Sequence, residues 1–172
     1  MTVAGCGRNG TVTLVYATVV QNSASTGANL IANGVLTSFG SVVAQAGGGG
    51  ANCVATSTTS NGFNFSDDAS AVVSCHFNAV TDRVGISNDP KLAALANNGG
   101  PTPTRLPLAG SPLIDAIPLA SCQADGATGI TTDQRSLPRP SGPGCDIGAV
   151  EVQPATPIPT PTPVVIQPSF TG

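Results

Sequence analysis

The chain has 172 residues, of which 9% are charged and 3% aromatic, and its formal net charge is −3. Large side chains are scarce and tryptophan is absent, which excludes the thick core of a sandwich or helix bundle. The six basic residues are scattered without a cluster, which argues against nucleic acid as a partner. No apolar run has the length of a membrane span.

The first half of the sequence repeats. Gly27–Asn29 recurs as Gly50–Asn52, 23 positions later, and Thr18–Gln21 falls on Ser41–Ala44 at the same offset. A period of this length without helical spacing is typical of solenoid proteins. A third repeat follows in VATSTTSNGFNFSDD, where two phenylalanines alternate.

Short strands and turns alternate within each repeat. TVTLVYATVVQN alternates polar residues with Val and Leu, which predicts strands with one buried face. Asn-Gly at 9–10 and 33–34 and the glycine run at 47–50 predict turns. One coil per repeat places each strand on its predecessor, about 4.8 Å away. Residues 1–87 are therefore predicted to be all-β, as a parallel β-helix of three or four coils.

The two asparagines at matching positions of the repeat have a structural interpretation. Asn29 and Asn52 are expected at equivalent bends of successive coils. An amide side chain both donates and accepts hydrogen bonds, so the pair predicts an asparagine ladder that satisfies the backbone of the bends. A ligand-binding role is the alternative that the pattern favours less.

The repeat fades after residue 87, and residues 88–151 are predicted to be a C-terminal capping region. Pro90–Ala96 predicts a short helix with Asp89 as its N-cap. SPLIDAI, at 111–117, predicts one further strand. Because the end of a solenoid exposes an unpaired strand edge, we expect this region to cover the last edge. Within it we expect ion pairs among Asp115, Arg135, Arg139 and Asp146.

Residues 152–172 have a different composition. Their prolines recur at alternate positions in PIPTPTP, which favours extended polyproline II. The segment is interpreted as a stalk or as a disordered tail.

The five cysteines leave two interpretations open. Cys53 and Cys75 are separated by nearly the same interval as Cys122 and Cys145, which favours disulfides. The alternative is a set of reduced thiols in a cytosolic protein. Cys6 is left over in either case. No Cys-x-x-Cys pair is present, and the single histidine has no spacing that completes a zinc site.

No constellation for catalysis, for a cofactor or for a metal is recognised. None of the nine acidic residues lies in the first two coils, where a carboxylate cluster of a β-helix enzyme would lie. Asp67 and Asp68 are interpreted as a solvated turn, with a loose Ca²⁺ contact as the less favoured alternative. His76 follows Cys75, but a disulfide-bonded sulfur is no nucleophile.

Three stretches carry a family resemblance. NDPKLAALANNGGPTPTRLPLAGSPLIDAI, TDQRSLPRPSGPGCDIGAVE and the preceding GGGANC with SDDASAVVSC resemble the C-terminal signature of bacterial choice-of-anchor Q domain proteins. These are right-handed parallel β-helix proteins related to polymorphic outer-membrane-protein repeats. The resemblance covers residues 10–151. It implies a right-handed coil, export, and the disulfides Cys53–Cys75 and Cys122–Cys145, and it brings no catalytic residues.

The chain departs from the family pattern at both ends. Met1 opens inside a coil, and no anchor follows the proline-rich segment, so we interpret the chain as a fragment of a secreted or cell-surface protein. The expected function is non-enzymatic display or adhesion, with surface glycans or another protein as partner. One alternative is a fragment of a carbohydrate-active enzyme whose site lies on missing coils, and another is a purely structural spacer.

Overall fold

The computed structural model describes residues 10–68 and 75–154, and within these ranges the chain is strand-rich and has no α-helix. Short strands follow one another along the chain, with one 3-10 turn at Leu119–Ser121. The strands are β1 (Thr11–Val15), β2 (Thr18–Val20), β3 (Leu30–Phe39), β4 (Val42–Ala44), β5 (Cys53–Ser60), β6 (Phe65–Ser66), β7 (Arg83–Val84), β8 (Ile117–Pro118) and β9 (Gly144–Cys145). The all-β expectation is confirmed.

Strands β1 to β7 form two parallel sheets, which we call the stack. The first sheet has the order β1-β3-β5, and the second has the order β2-β4-β6-β7. Each strand therefore pairs with its counterpart from the next repeat, which is the arrangement that the period predicted. The backbone N–H groups of Ala28 and Asn29 donate to the carbonyl oxygens of Ala51 and Asn52, so this part of the repeat keeps its offset of 23.

The number of positions between paired residues of successive repeats is not constant, because β3 contains an extra residue. Thr18 pairs with Val42 rather than with the expected Ser41. The register of β3 against β5 shifts between Ala32 and Val35, where a turn was expected at 33–34. The Asn-Gly pair instead forms a β-bulge inside a continuous strand. Gly34 is needed there because a Cβ would collide with the carbonyl oxygen of Gly10.

The stack buries side chains on both faces of its second sheet. Successive residues of a strand point to opposite faces, and in β4 all three residues are buried. Val43 belongs to the core between the two sheets, together with Leu36. Val42 and Phe65 belong to a second core on the outer face. A chain with few large side chains thus builds two thin cores instead of one thick core.

The C-terminal segment, which we define as residues 88–154, supplies the other side of the second core. Leu113, Ile117 and Ile147 cluster with the outward residues of the second sheet. Strands β8 and β9 pair antiparallel inside this segment. These contacts are made with the outer face of the sheet, whereas we expected the segment over the last strand edge. Thr18, Val42 and Phe65 are paired in succession across the sheet and form the row that the segment covers. Arg83, which pairs next to Phe65, stays exposed.

The helix predicted at Pro90–Ala96 is wrong. The segment runs extended and forms antiparallel bridges, in which the backbone N–H of Ala96 donates to Thr104 and the N–H of Thr104 donates back. Asp89 is not a helix cap, because no helix follows it. Its Oδ1 accepts the N–H of Lys91, two residues on, at 2.8 Å, which is the bond of an Asx turn. The tertiary pairing provides hydrogen bonds that a seven-residue helix could not match. The strand predicted at 111–117 is reduced to its last residue, where β8 begins.

Candidate functional site

A column of amides crosses the stack at the bends. The Nδ2 of Asn29 donates to Oδ1 of Asn52 at 2.7 Å, and the Nδ2 of Asn52 donates to Oδ1 of Asp67 at 2.7 Å. The same amide oxygens also serve the bends, because Oδ1 of Asn29 accepts the N–H of Asn22 and Oδ1 of Asn52 accepts the N–H of Ala46. The predicted Asn29–Asn52 contact is therefore formed, and its oxygens hold the backbone of the bends.

Asp67 and Asp68 close this column. Both oxygens of Asp67 accept the N–H of Gln45, and those of Asp68 accept the N–H of Asn52. These carboxylates thus hold backbone of the stack rather than forming a solvated turn. The described residues contain no group of three or more His, Cys, Asp or Glu side chains that could hold a metal ion.

A second polar column, formed by Ser41, Asn64 and Asp82, was not predicted from the sequence. Oδ1 of Asn64 accepts the N–H of Ser41 at 3.1 Å, and the N–H of Asn64 donates to Oδ1 of Asp82 at 2.8 Å. Ser41 and Asn64 keep the repeat spacing, which was the available signal. The shorter step to Asp82 breaks that spacing, because the fourth repeat is contracted.

Both disulfides that the family resemblance implied are formed, Cys53–Cys75 and Cys122–Cys145. The first lies in the core between the sheets, and the second lies in the core beneath the C-terminal segment. Each core therefore contains one covalent crosslink. Because Cys75 is bonded, the adjacent His76 has no thiolate to activate.

The expected ion pairs form with different partners. Arg135 pairs with Asp133 at 2.8 Å, and Arg139 pairs with Glu151 at 3.1 Å, instead of with Asp115 or Asp146. The available signal for Asp133 was its spacing two residues before Arg135, where Oδ1 also accepts the N–H of that arginine at 2.7 Å. Glu151 carried no local signal, because only the fold brings it to Arg139.

The two remaining acids bind backbone. Asp146 accepts the N–H of Asp115 at 2.7 Å and that of Val152 at 2.6 Å. Asp115 accepts the N–H of Gly144 at 3.2 Å. Both acids therefore hold the chain of the C-terminal segment in place instead of neutralising an arginine.

Arg139 lies at the centre of this charge cluster and is 2% exposed. Its guanidinium carbon is 4.0 Å from the ring centre of Tyr16, and its Nη2 donates to the carbonyl oxygen of Gly148 at 2.8 Å. Burial lowers the pKa of Arg139, with the negative charge of Glu151 opposing that shift. The hydroxyl of Tyr16 donates to the carbonyl oxygen of Cys122 at 2.7 Å, and burial raises the pKa of Tyr16 to about 12.

The pKa values of the buried carboxylates shift in different directions, according to the groups that surround each one. Burial raises the pKa of Asp146 and of Glu151. At Asp133 burial also acts to raise the pKa, but hydrogen bonds from Glu151, Arg135 and Leu137 outweigh it and lower the pKa. Every oxygen of the three carboxylates accepts a backbone N–H. The cluster thus combines shifted pKa values with carboxylates whose oxygens all hold backbone of the chain.

The outer face of the first sheet carries rows of hydroxyl groups. Thr13, Thr37 and Thr59 are paired in register across β1, β3 and β5. The first and last of them are exposed and the middle one is half-buried. Adjacent strands of a sheet are about 4.8 Å apart, so this row repeats a hydroxyl at that interval. Thr11, Val35 and Ser57 form a parallel exposed row two residues earlier in each strand.

A groove of about 920 Å³ runs along the open side of the stack. One wall is the chain from Val12 to Asn22, which includes β1 and β2. The opposite wall belongs to the C-terminal segment and includes 103–105 and 132–134. In the described residues β1 and β2 are the terminal strands of their sheets. The groove therefore exposes strand edges between walls from two parts of the chain.

Comparison with family models, with curated proteins and with solved structures finds no match to this chain. The described residues, 10–68 and 75–154, contain no candidate membrane-spanning helix.

Proposed function

We propose that this chain is a section of a right-handed parallel β-helix from an exported surface protein, and that it binds glycans without turning them over. The in-register pairing of each strand with its counterpart one repeat later supports the β-helix. The two disulfides support an oxidising, extracellular environment. The choice-of-anchor Q resemblance of residues 10–151 points to the same class.

The hydroxyl row Thr13–Thr37–Thr59 is the observation that carries the binding proposal. A hydroxyl both donates and accepts hydrogen bonds, so a flat row matches a ligand that also presents hydroxyls at regular intervals. A polysaccharide chain has that chemistry. Each contact is weak, and a strand-spaced array supplies several contacts to one polymer.

The buried charge cluster supports a non-enzymatic role. Hydrolases and lyases of glycans need a carboxylate that is free to move a proton or to attack. In the described residues the carboxylates with shifted pKa values hold backbone N–H groups on both oxygens. They act as internal supports of the C-terminal segment, and the proposal requires no cofactor.

The test is co-sedimentation of the oxidised chain with insoluble polysaccharides, including cellulose, chitin and a pectin, while released reducing ends and unsaturated uronates are measured. We expect binding to at least one polymer and no release of product. The variant T13V/T37V/T59V keeps the shape of the face and removes its hydroxyls. It should lose binding about tenfold if the row makes two net hydrogen bonds, at about 0.5–1.5 kcal/mol each.

The matched control is T102V/T128V, which removes hydroxyls from exposed threonines of the C-terminal segment. It should bind as the unmodified chain does. Released product would identify a fragment of a carbohydrate-active enzyme. Absence of binding to every polymer would favour a structural spacer and would overturn the proposal.

A further inference from the structure

The sequence of the second sheet occurs a third time, in the tail of the chain. In β2, Thr18–Val20 is followed by Gln21, and in β4, Val42–Ala44 is followed by Gln45. Residues 164–167, VVIQ, repeat this four-residue pattern near the end of the sequence. Residues 155–172 lie outside the residues that the structure describes.

The pattern has a clear role in the sheet. Val19 and Val43 point to the core between the sheets, whereas Thr18 and Val42 lie on the outer face. At the end of the strands, Nε2 of Gln21 donates to Oε1 of Gln45 at 3.1 Å. A segment with this pattern thus carries one inward valine, one outward residue that tolerates a hydroxyl, and a glutamine that extends a side-chain column.

The groove offers an edge for such a strand. It runs along the whole of 12–22, and β2 is the last strand of its sheet within the described residues. An unpaired strand edge is a template for β-augmentation by an extended segment. Proline is tolerated in strands at an edge or at the first position, and the tail segment has prolines at 163 and 168, directly outside the pattern.

The sequence of the tail predicts a spacer between the groove and the VVIQ segment. Val150 lines the groove, and the described residues end four positions later at Pro154. The prolines at 157, 159, 161 and 163 favour polyproline II, which rises about 3.1 Å per residue. Ten residues of this form would span about 30 Å. We expect such a spacer to favour the groove of another molecule over its own.

We propose that residues 164–167 of a second copy of this chain bind, as a parallel strand, the edge of β2 that has no partner strand among the described residues, in the groove between the stack and the C-terminal segment. The contact is heterologous, since a tail meets a groove, and it joins copies head to tail. The proline-rich segment is then a spacer that sets the distance between neighbouring copies. This inference is independent of glycan binding.

The test is sedimentation of the oxidised full chain over a wide range of concentration, with hydrogen exchange at β2 measured on the same samples. We expect dimers and longer species to grow with concentration, and the amides of Thr18–Val20 to become protected as they do. A peptide of sequence TPVVIQPS should compete with assembly and should itself protect β2.

Two variants of the tail give the matched comparison. V165T places a hydroxyl at the inward position, and burying that group unpaired should weaken association about tenfold. V164T places threonine where β2 itself has Thr18, and it should change association less than about twofold, the value expected for a tolerated position.

Three results would overturn the proposal. A chain that stays monomeric at every concentration, with β2 exchanging freely, excludes the contact. Equal effects of V164T and V165T exclude the register. Protection of β2 that does not depend on concentration shows that the chain's own tail, and not that of a second copy, occupies the groove.

Discussion

The stack and the C-terminal segment satisfy their backbone in different ways. In the stack, strands pair with strands, the buried bends are held by neutral amides such as Asn52 and Asn64, and carboxylates enter only at the partly exposed ends of the two columns. In the C-terminal segment, strands are two residues long, and backbone N–H groups are bound by the carboxylates of Asp133, Asp146 and Glu151. The stack is regular and repeats, whereas the segment is irregular and depends on buried charge.

The difference shows what each region needs in order to fold. An amide column is neutral, so adding a repeat adds hydrogen bonds without a desolvated charge. A buried carboxylate must keep a positive partner or several N–H donors, because an isolated buried charge costs several kcal/mol. We therefore expect the C-terminal segment to be more sensitive to single substitutions than the stack.

Removal of Arg139 should have the largest effect. The variant R139M leaves Glu151 buried without its cation, and we expect a loss of about 3–5 kcal/mol in the free energy of unfolding. Denaturant unfolding of the oxidised chain measures this loss. The exposed cation Lys91 provides the control, and K91M should change stability by less than about 0.5 kcal/mol.

The double variant R139M/E151Q separates the unpaired charge of Glu151 from the hydrogen bonds that it accepts. It removes the negative charge and keeps one oxygen that accepts a backbone N–H, so it should be more stable than R139M alone. A double variant that is less stable than R139M would show that the two N–H groups of Ser141 and Asp146 need both carboxylate oxygens, and that this need outweighs the cost of the unpaired charge.

The two disulfides allow a direct comparison of the regions, because one lies in the core of the stack and the other lies beneath the C-terminal segment. They close loops of nearly equal length, with sequence separations of 22 and 23. Loop entropy alone therefore predicts equal losses of about 3 kcal/mol for C53A/C75A and for C122A/C145A. Denaturant unfolding of the two double variants tests this expectation. A loss of well under 1 kcal/mol for either pair would show that its loop is already constrained in the unfolded chain.

The asparagine column of the stack should show a smaller and graded effect. Asn52 is fully buried and bonds to neighbours on both sides, so N52A should cost about 1–3 kcal/mol by leaving polar groups unsatisfied. Asn29 ends the column, and N29A should cost less than N52A. Equal or reversed losses, measured by denaturant unfolding, would contradict the ladder as a cooperative column.

The titration of Tyr16 reports the contact between the stack and the C-terminal segment, and it requires no substitution. It is the only tyrosine, and its pKa should lie at about 12 in the folded chain, compared with 10.0 when exposed. Because folding raises this pKa, stability from Tyr16 is complete below pH 10 and falls as the pH rises from 10 to 12. Phenolate absorbance against pH, in native buffer and in denaturant, measures both values. A native midpoint near 10 would show that the C-terminal segment does not cover this ring.

Much of the stack could be predicted from the sequence, because its signals are local and repeated. The Asn29–Asn52 contact follows from their spacing, and the strands follow from the alternation of Val with polar residues. The β-bulge at Asn33–Gly34 was missed, since an Asn-Gly pair favours a turn unless neighbouring strands hold it extended. Pairing on both sides of β3 supplies that constraint.

The C-terminal segment could be predicted far less well. Asp115, Asp146, Arg135 and Arg139 were recognised as a charge cluster, but their partners were not. Arg139 meets Glu151 because the fold brings two irregular stretches together, and no periodicity encodes that contact. The helix predicted at Pro90–Ala96 was wrong for a more local reason, because residues 104–107, a few positions further along the chain, offer it antiparallel pairing.

The all-β class, the near-constant repeat and the positions where amides meet follow from local sequence patterns, because strand alternation and stacking act over short distances along the chain. The face that the C-terminal segment covers, and the carboxylate that pairs with Arg139, become apparent only in the folded chain. Those contacts depend on how much charge and apolar surface can be buried together. That is a property of two surfaces in contact, and neither stretch of sequence contains it alone.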